Sequence, residues 1–172
     1  MKTSITLLVL TLSFFTSFSL AQREVYKREK PDPVNEADML AVLIKEGEIA
    51  LSNEVLFKYD STDFAEESAE NQLEIVAIVM NHPKLEEDYF LIEGHTCDLG
   101  TDSYNDALSK GRAERVRKYL IEQGVTEGRL SSIGYGESRP LAESKIEDKD
   151  DPETKEKKRQ TNRRVIIRKL KK

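Results

Sequence analysis

Residues 93–113 read Glu93-Gly94-His95-Thr96-Cys97-Asp98-Leu99-Gly100-Thr101-Asp102-Ser103-Tyr104-Asn105-Asp106-Ala107-Leu108-Ser109-Lys110-Gly111-Arg112-Ala113. The apolar run Tyr89-Phe90-Leu91-Ile92 enters this stretch and reads as a buried strand leading into Gly94. Thr101 to Ser103 supply N-cap oxygens for a helix that runs to about Gln123. Gly124 stands where a left-handed C-cap belongs. The stretch is therefore strand, polar loop, helix. Arg112 is i+4 from Leu108 and i−4 from Val116, on or beside the apolar stripe of that helix. A guanidinium there needs a partner, either a local carboxylate at the core edge or a ligand.

Downstream, residues 129–135 read as a short strand and residues 165–170 as a final one. Residues 143–160 are almost all charged or polar and are expected to form a solvated loop, in part helix. Upstream, residues 36–45 carry Met39, Leu40, Leu43 and Ile44 on one side of a helix that Gly47 can end. Residues 48–51 and 54–59 are short β-compatible segments around a Ser52-Asn53 turn pair. Asp60-Ser61-Thr62-Asp63 offers N-cap oxygens to a helix with Leu73, Val76, Ala77 and Met80 at helical spacing, stopping before Pro83. The order strand, helix, strand, helix, strand, strand predicts an α/β domain. It is an α+β two-layer sandwich, with helices over one face of a sheet of about four strands. Strand order stays open.

Five segments fall in one recognisable order. They are Val55-Leu56-Phe57-Lys58-Tyr59-Asp60-Ser61, Ile92-Glu93-Gly94-His95-Thr96, Tyr104-Asn105 with Leu108-Ser109-Lys110-Gly111-Arg112-Ala113, Gly134-Tyr135-Gly136-Glu137-Ser138-Arg139-Pro140, and Asn162-Arg163-Arg164-Val165. From about Val55 to Val165 the chain resembles the OmpA-like C-terminal (peptidoglycan-binding) domain family. The resemblance implies a mixed sheet, no cofactor, and a non-catalytic role at the cell wall.

The N-terminus reads as a signal peptide over residues 1–21. Lys2 precedes a mostly apolar run of sixteen residues, and Ser19 and Ala21 are small residues placed for cleavage. The run is shorter than the ~20 apolar residues that span a bilayer, so no transmembrane segment is expected after cleavage. Residues 22–35, with Pro31 and Pro33, read as a linker or tether, and residues 36–172 as the domain. Together with the resemblance, this predicts the periplasm or cell envelope of a diderm bacterium. Cys97 is the one Cys, so no internal disulfide forms.

The chain holds 27 basic and 32 acidic residues. Ten Lys or Arg against one Glu fall in residues 155–172, a local +9. Export excludes nucleic acid as the partner of that basic end, which is expected to pair with the acidic body.

The ligand implied by the resemblance is meso-diaminopimelate of the peptidoglycan stem peptide, whose free end is a zwitterion. In the family a loop Asp takes the ammonium and a helix Arg takes the carboxylate, through two parallel hydrogen bonds. Arg112 matches the Arg. Cys97 stands at the Asp position and Asp98 follows it. A thiol is a poor acceptor for an ammonium. Three outcomes stay open: Asp98 turns inward, backbone carbonyls hold the amine, or binding is weak or lost. Thr96 and Leu99 offer backbone groups in the loop. Asn105 bonds the loop or the ligand, or is structural. Arg163 or Arg164 lines the site, with strand alternation turning the other away. Tyr104 is expected to pack.

The alternative reading is an interaction module that keeps the fold, has lost or weakened peptidoglycan binding, and serves envelope protein partners. A Cys97–His95 nucleophile is disfavoured because nothing orients the pair. A metal site through His95, Cys97 and Asp98 is disfavoured because no second ligand cluster exists; His82 stands before Pro83.

Overall fold

Asn35 opens the first helix by accepting the Asp38 N–H on its side chain at 2.9 Å. This computed structural model describes residues 35–65 and 67–170; the expected signal segment and the tether up to residue 34 lie outside the described residues. Helix α1 (Glu36–Lys45) buries Met39 and Leu43, and Gly47 follows with φ +78°. Strand β1 (Glu48–Ser52) comes next, then a one-turn helix α2 (Asn53–Leu56) and helix α3 (Glu67–Met80). Strand β2 (Tyr89–His95), helix α4 (Asp102–Glu122) and strand β3 (Leu130–Gly134) form a parallel β–α–β unit. Helix α5 (Pro152–Asn162) and strand β4 (Arg164–Leu170) complete the chain.

The sheet order is β1-β4-β2-β3. β4 runs antiparallel to both β1 and β2, so the sheet is mixed. Alternation along the strands separates its two faces. Ile49, Leu51, Phe90, Ile92, Val165 and Ile167 belong to the core together with Leu73, Val76 and Met80 of α3 and Ala113, Val116 and Leu120 of α4. Each fully buried large aliphatic side chain contributes about 1.5–3 kcal/mol relative to exposure. The other face carries Glu48, Glu93, His95, Arg164 and Arg168, and Arg168 bridges Glu48 and Glu93 across the strands.

Helix α4 ends as its sequence predicts. Gly124 has φ +90°, its N–H reaches the Ile121 carbonyl at 2.9 Å, and the Val125 N–H reaches Leu120 at 3.0 Å. This paired C-terminal bonding satisfies two orphan carbonyls.

Two local expectations are corrected. Residues 54–59 do not form a strand: Ser52 caps Glu54 N–H at 3.2 Å, and Asn53 donates its side-chain amide to the His95 carbonyl at 3.1 Å. The local cap and this buried long-range bond favour a helical turn. Residues 60–63 do not cap α3. They form a tight turn closed by a Phe57–Phe64 bridge and by Lys58 N–H to the Asp63 carbonyl at 3.0 Å. The charged segment is loop over residues 145–151 and helix from Pro152, in line with the expected mixture, because Asp151 caps Thr154 at 2.8 Å with Pro152 in the first turn.

Candidate ligand-binding site

The inward face of α4 changes character along its length. Its first half buries Asn105, Ser109 and Arg112, and its second half buries Ala113, Val116, Tyr119 and Leu120. The polar half lies beside the loop that leaves β2. Asn105 pins that loop, donating its amide to the carbonyls of Cys97 at 3.2 Å and Leu99 at 3.0 Å, and to Glu137 at 2.6 Å. Thr96 N–H donates to Gly136 at 2.9 Å, and Gly100 turns the chain with φ +105°. The loop backbone is thus held from three sides.

A cavity of about 460 Å³ opens between this loop, α4 and the turn at residues 57–64. Its walls include Phe57, Lys58, Tyr59, Asp60, Thr96, Cys97, Leu99, Tyr104, Asn105 and Arg112, with Glu54, Glu156 and Arg163 at one side. Arg112 is only 5% exposed. Its Nε donates to the Ser61 carbonyl at 2.9 Å, and its guanidinium lies 5.2 Å from the Phe57 ring centroid. Neither terminal nitrogen of Arg112 bonds another described residue. Burial pulls its pKa below the ordinary guanidinium value, opposed by the nearby Asp60 carboxylate. The head of a buried Arg therefore faces the cavity with donors to spare.

Asp60 stands on the opposing turn. It is the one non-glycine among the described residues with a positive φ, +53°. The Tyr104 hydroxyl donates to its carboxylate, which raises the Tyr104 pKa. Arg163 is otherwise engaged: it donates to Glu54 at 2.8 Å, to Glu156 at 2.7 Å, and to the Cys97 sulfur at 3.6 Å. Burial works against its charge, yet these bonds hold its pKa above the ordinary value.

The structure brings together six of the eight residues singled out from sequence. Arg112, Cys97, Thr96, Leu99, Asn105 and Arg163 line the cavity. Asp98 does not turn inward. Its carboxylate forms a two-pronged pair with Arg159 of α5, at 2.7 and 3.0 Å, which lowers its pKa. Arg164 faces elsewhere, donating to the Asn162 and Arg139 carbonyls at 3.0 Å. His95 does not meet Cys97; its neighbours are Glu93 at 3.6 Å and the Tyr135 ring. No cluster of metal-ligating side chains occurs among the described residues.

Sequence reasoning missed Asp60, Lys58, Tyr104 and Glu156. Lys58 was hidden by a strand reading of residues 54–59 and Asp60 by a helix-cap reading of residues 60–63. Glu156 and Arg163 are seven apart, a helical repeat that marks one face once the helix is recognised.

The OmpA family model matches residues 56–157. The chain is similar to outer membrane porin F of Pseudomonas aeruginosa, 38% identical over 92 residues, covering 53% of this chain and 25% of the porin. It is 36% identical over 86 residues to the peptidoglycan-associated lipoprotein of Pseudomonas putida, covering 50% and 49% of the two chains. Its fold is similar to the periplasmic domain of Helicobacter pylori MotB, with TM-score 0.56 and 26% identity over 71% of this chain and 74% of that one. The chain spans half or less of the length of these curated relatives. The match takes in α3, β2, α4 and β3 together with the Lys58–Asp60 turn, the loop after β2 and Arg112 of the cavity, and the chain belongs to the OmpA family.

Proposed function

We propose that this cavity holds the zwitterionic end of meso-diaminopimelate in the peptidoglycan stem peptide. The protein is then a non-catalytic cell-wall-binding module in the periplasm of a diderm bacterium. The observation that carries this reading is Arg112, a buried cation whose terminal nitrogens face a cavity and bond no described residue. A planar guanidinium so placed suits a carboxylate. Asp60 is the carboxylate across the cavity that suits the ammonium, in place of Cys97 and Asp98. Its charge is among those favouring the Arg112 cation, as expected of a site that separates the two ends of a zwitterion. The peptidoglycan-associated lipoprotein among the relatives supports the same ligand class.

Sedimentation with purified sacculi tests the proposal. The mature protein should pellet at low salt, and Arg112→Ala should stay in the supernatant. Equal pelleting of the two proteins overturns the reading.

A second reading has its own observation. Cys97 occupies the loop position where the family places an acid, and Asp98 is held by Arg159. A protein-interaction module without wall affinity accounts for both facts. The same assay separates the readings, because such a module leaves wild type in the supernatant.

A further inference from the structure

Cys97 is the one cysteine of the chain, and it lies in the wall of the cavity. It is 7% exposed, and Arg163 Nη1 donates to its sulfur at 3.6 Å. A thiol so recessed is a poor partner for a second copy of the chain. An intermolecular disulfide needs the two Cα atoms within about 7 Å of each other, and the surrounding walls keep another backbone out. The cavity, at about 460 Å³, admits a small molecule instead.

The groups around the sulfur select that molecule. Arg112 is 5% exposed and faces the cavity with both terminal nitrogens unbonded to any described residue. Asn53 Oδ1 and Thr96 Oγ1, buried on the same walls, also have no partner. Arg112 and Cys97 are close enough to attract each other when the thiol is ionised. A donor pair for a carboxylate and a nucleophilic sulfur therefore stand together. A guest that meets both needs a disulfide a few bonds from a carboxylate. Cystine is of this class: each half carries an ammonium and a carboxylate on one carbon, with its sulfur two bonds away.

We infer that Cys97 is a thiolation site for low-molecular-weight disulfides of the cystine class, steered by Arg112. The Cys97 thiolate attacks one sulfur of the guest. A bond from Cys97 to that sulfur forms as the guest's own S–S bond breaks. The released cysteine thiolate takes up the proton that Cys97 lost. Cys97 is oxidised and one half of the guest is reduced, so no further oxidant enters. The half left on Cys97 stays beside Arg112 and fills the space assigned above to diaminopimelate. Wall binding is then open in the thiol state and closed in the mixed disulfide. This last consequence rests on the zwitterion reading of the cavity; the thiolation itself does not.

Intact-mass spectrometry tests it with L-cystine and with cystamine, the same disulfide without its carboxylates. The urea-unfolded chain gives the intrinsic ratio of the two rates. Folded wild type should gain one cysteinyl group and favour cystine roughly tenfold beyond that ratio, the value of one charge-assisted hydrogen bond. Arg112→Ala should return to the unfolded ratio. Cysteinylated wild type should stay in the supernatant with sacculi and pellet again after dithiothreitol. Cys97→Ser should pellet to the same extent with and without cystine. The inference falls if folded wild type gains no adduct, if its main product is a disulfide-linked dimer, or if it shows the unfolded ratio. In each of those cases the zwitterion reading stands as long as unmodified wild type pellets and Arg112→Ala does not. If cysteinylated wild type pellets undiminished, the redox gating falls. If unmodified wild type and Arg112→Ala pellet equally, the zwitterion reading and the gating fall together.

Discussion

Gly94 and Gly134 are register partners in the parallel β2–β3 pair, and both lie against the same turn of α4. A Cβ on Gly94 falls 2.1 Å from the Ser109 carbonyl oxygen. A Cβ on Gly134 falls 2.3 Å from Lys110 N and 2.5 Å from Ser109 Oγ. The obstacles are mostly backbone, so no rotamer change relieves them. The close approach lets Ser109 accept the Gly136 N–H at 2.9 Å. It also sets Asn105 and Arg112, four residues before and three after, at the level of the ligand loop.

Gly94→Ala and Gly134→Ala should each destabilise the domain by about 2–3 kcal/mol, because overpacking against backbone forces the helix away. Gly128→Ala is the control: nothing lies within 4 Å of its added Cβ. Its effect should stay within about 0.5 kcal/mol. Urea denaturation measures all three, and equal midpoints for Gly94→Ala and wild type contradict the packing account.

Asn105→Ala should cost about 1–3 kcal/mol, since it strips the Cys97 and Leu99 carbonyls and Glu137 of their donor. The loop should loosen as well as the fold. Hydrogen exchange at Leu99 and Gly100 should rise more than exchange in β4. Uniform acceleration across the sheet contradicts a local role.

Cys97→Asp places a carboxylate on the cavity wall near Arg163. Sacculus binding should strengthen by roughly tenfold, the value of one charge-assisted hydrogen bond of ~1.5 kcal/mol to the ammonium. Unchanged pelleting means that the loop position is not shared with the ligand amine. Asp60→Asn should weaken binding by a similar factor in wild type, and by less in the Cys97→Asp background.

Low pH should destabilise the protein through His95. Burial, reinforced by the Arg164 charge and opposed by Glu93, lowers its pKa from 6.5 to about 4. The unfolded chain takes up this proton as pH falls below 6.5, and the folded chain does so only near 4. Stability therefore falls with pH through that window, by roughly 2–3 kcal/mol from this residue. The neutral variant His95→Gln should lose about that much less between pH 7 and pH 4. Parallel losses in the two proteins, measured by urea unfolding, contradict the assignment.

Much of the fold was legible because its signals are local. The N-cap at Thr101, the C-cap at Gly124 and the periodicity of Leu73, Val76 and Met80 each act within a turn or two of chain. Arg112 was legible for a related reason. A charge on an apolar stripe is a contradiction that sequence alone exposes, and the segments around it carried the family resemblance. Residues 53–64 misled because a Ser, Asn and Asp cluster next to aromatic residues fits a strand end, a helix cap and a turn equally well. Its true shape depends on Asn53 reaching the His95 carbonyl, 42 positions away.

Sequence by itself determined most of the element types and buried faces, and it marked Arg112 as a charge on an apolar stripe. Those properties follow from backbone propensity and from side-chain spacing along one helix or strand. Tertiary structure alone decided which carboxylates share the cavity with that cation. Asp98 is drawn outward because Arg159, 61 positions later, offers a two-pronged partner. Asp60 enters the cavity because its turn folds back over α4, where Tyr104, 44 positions later, holds it. The strand order β1-β4-β2-β3 was likewise beyond local reading, since β4 pairs with β1 and β2 across separations of 120 and 75 positions.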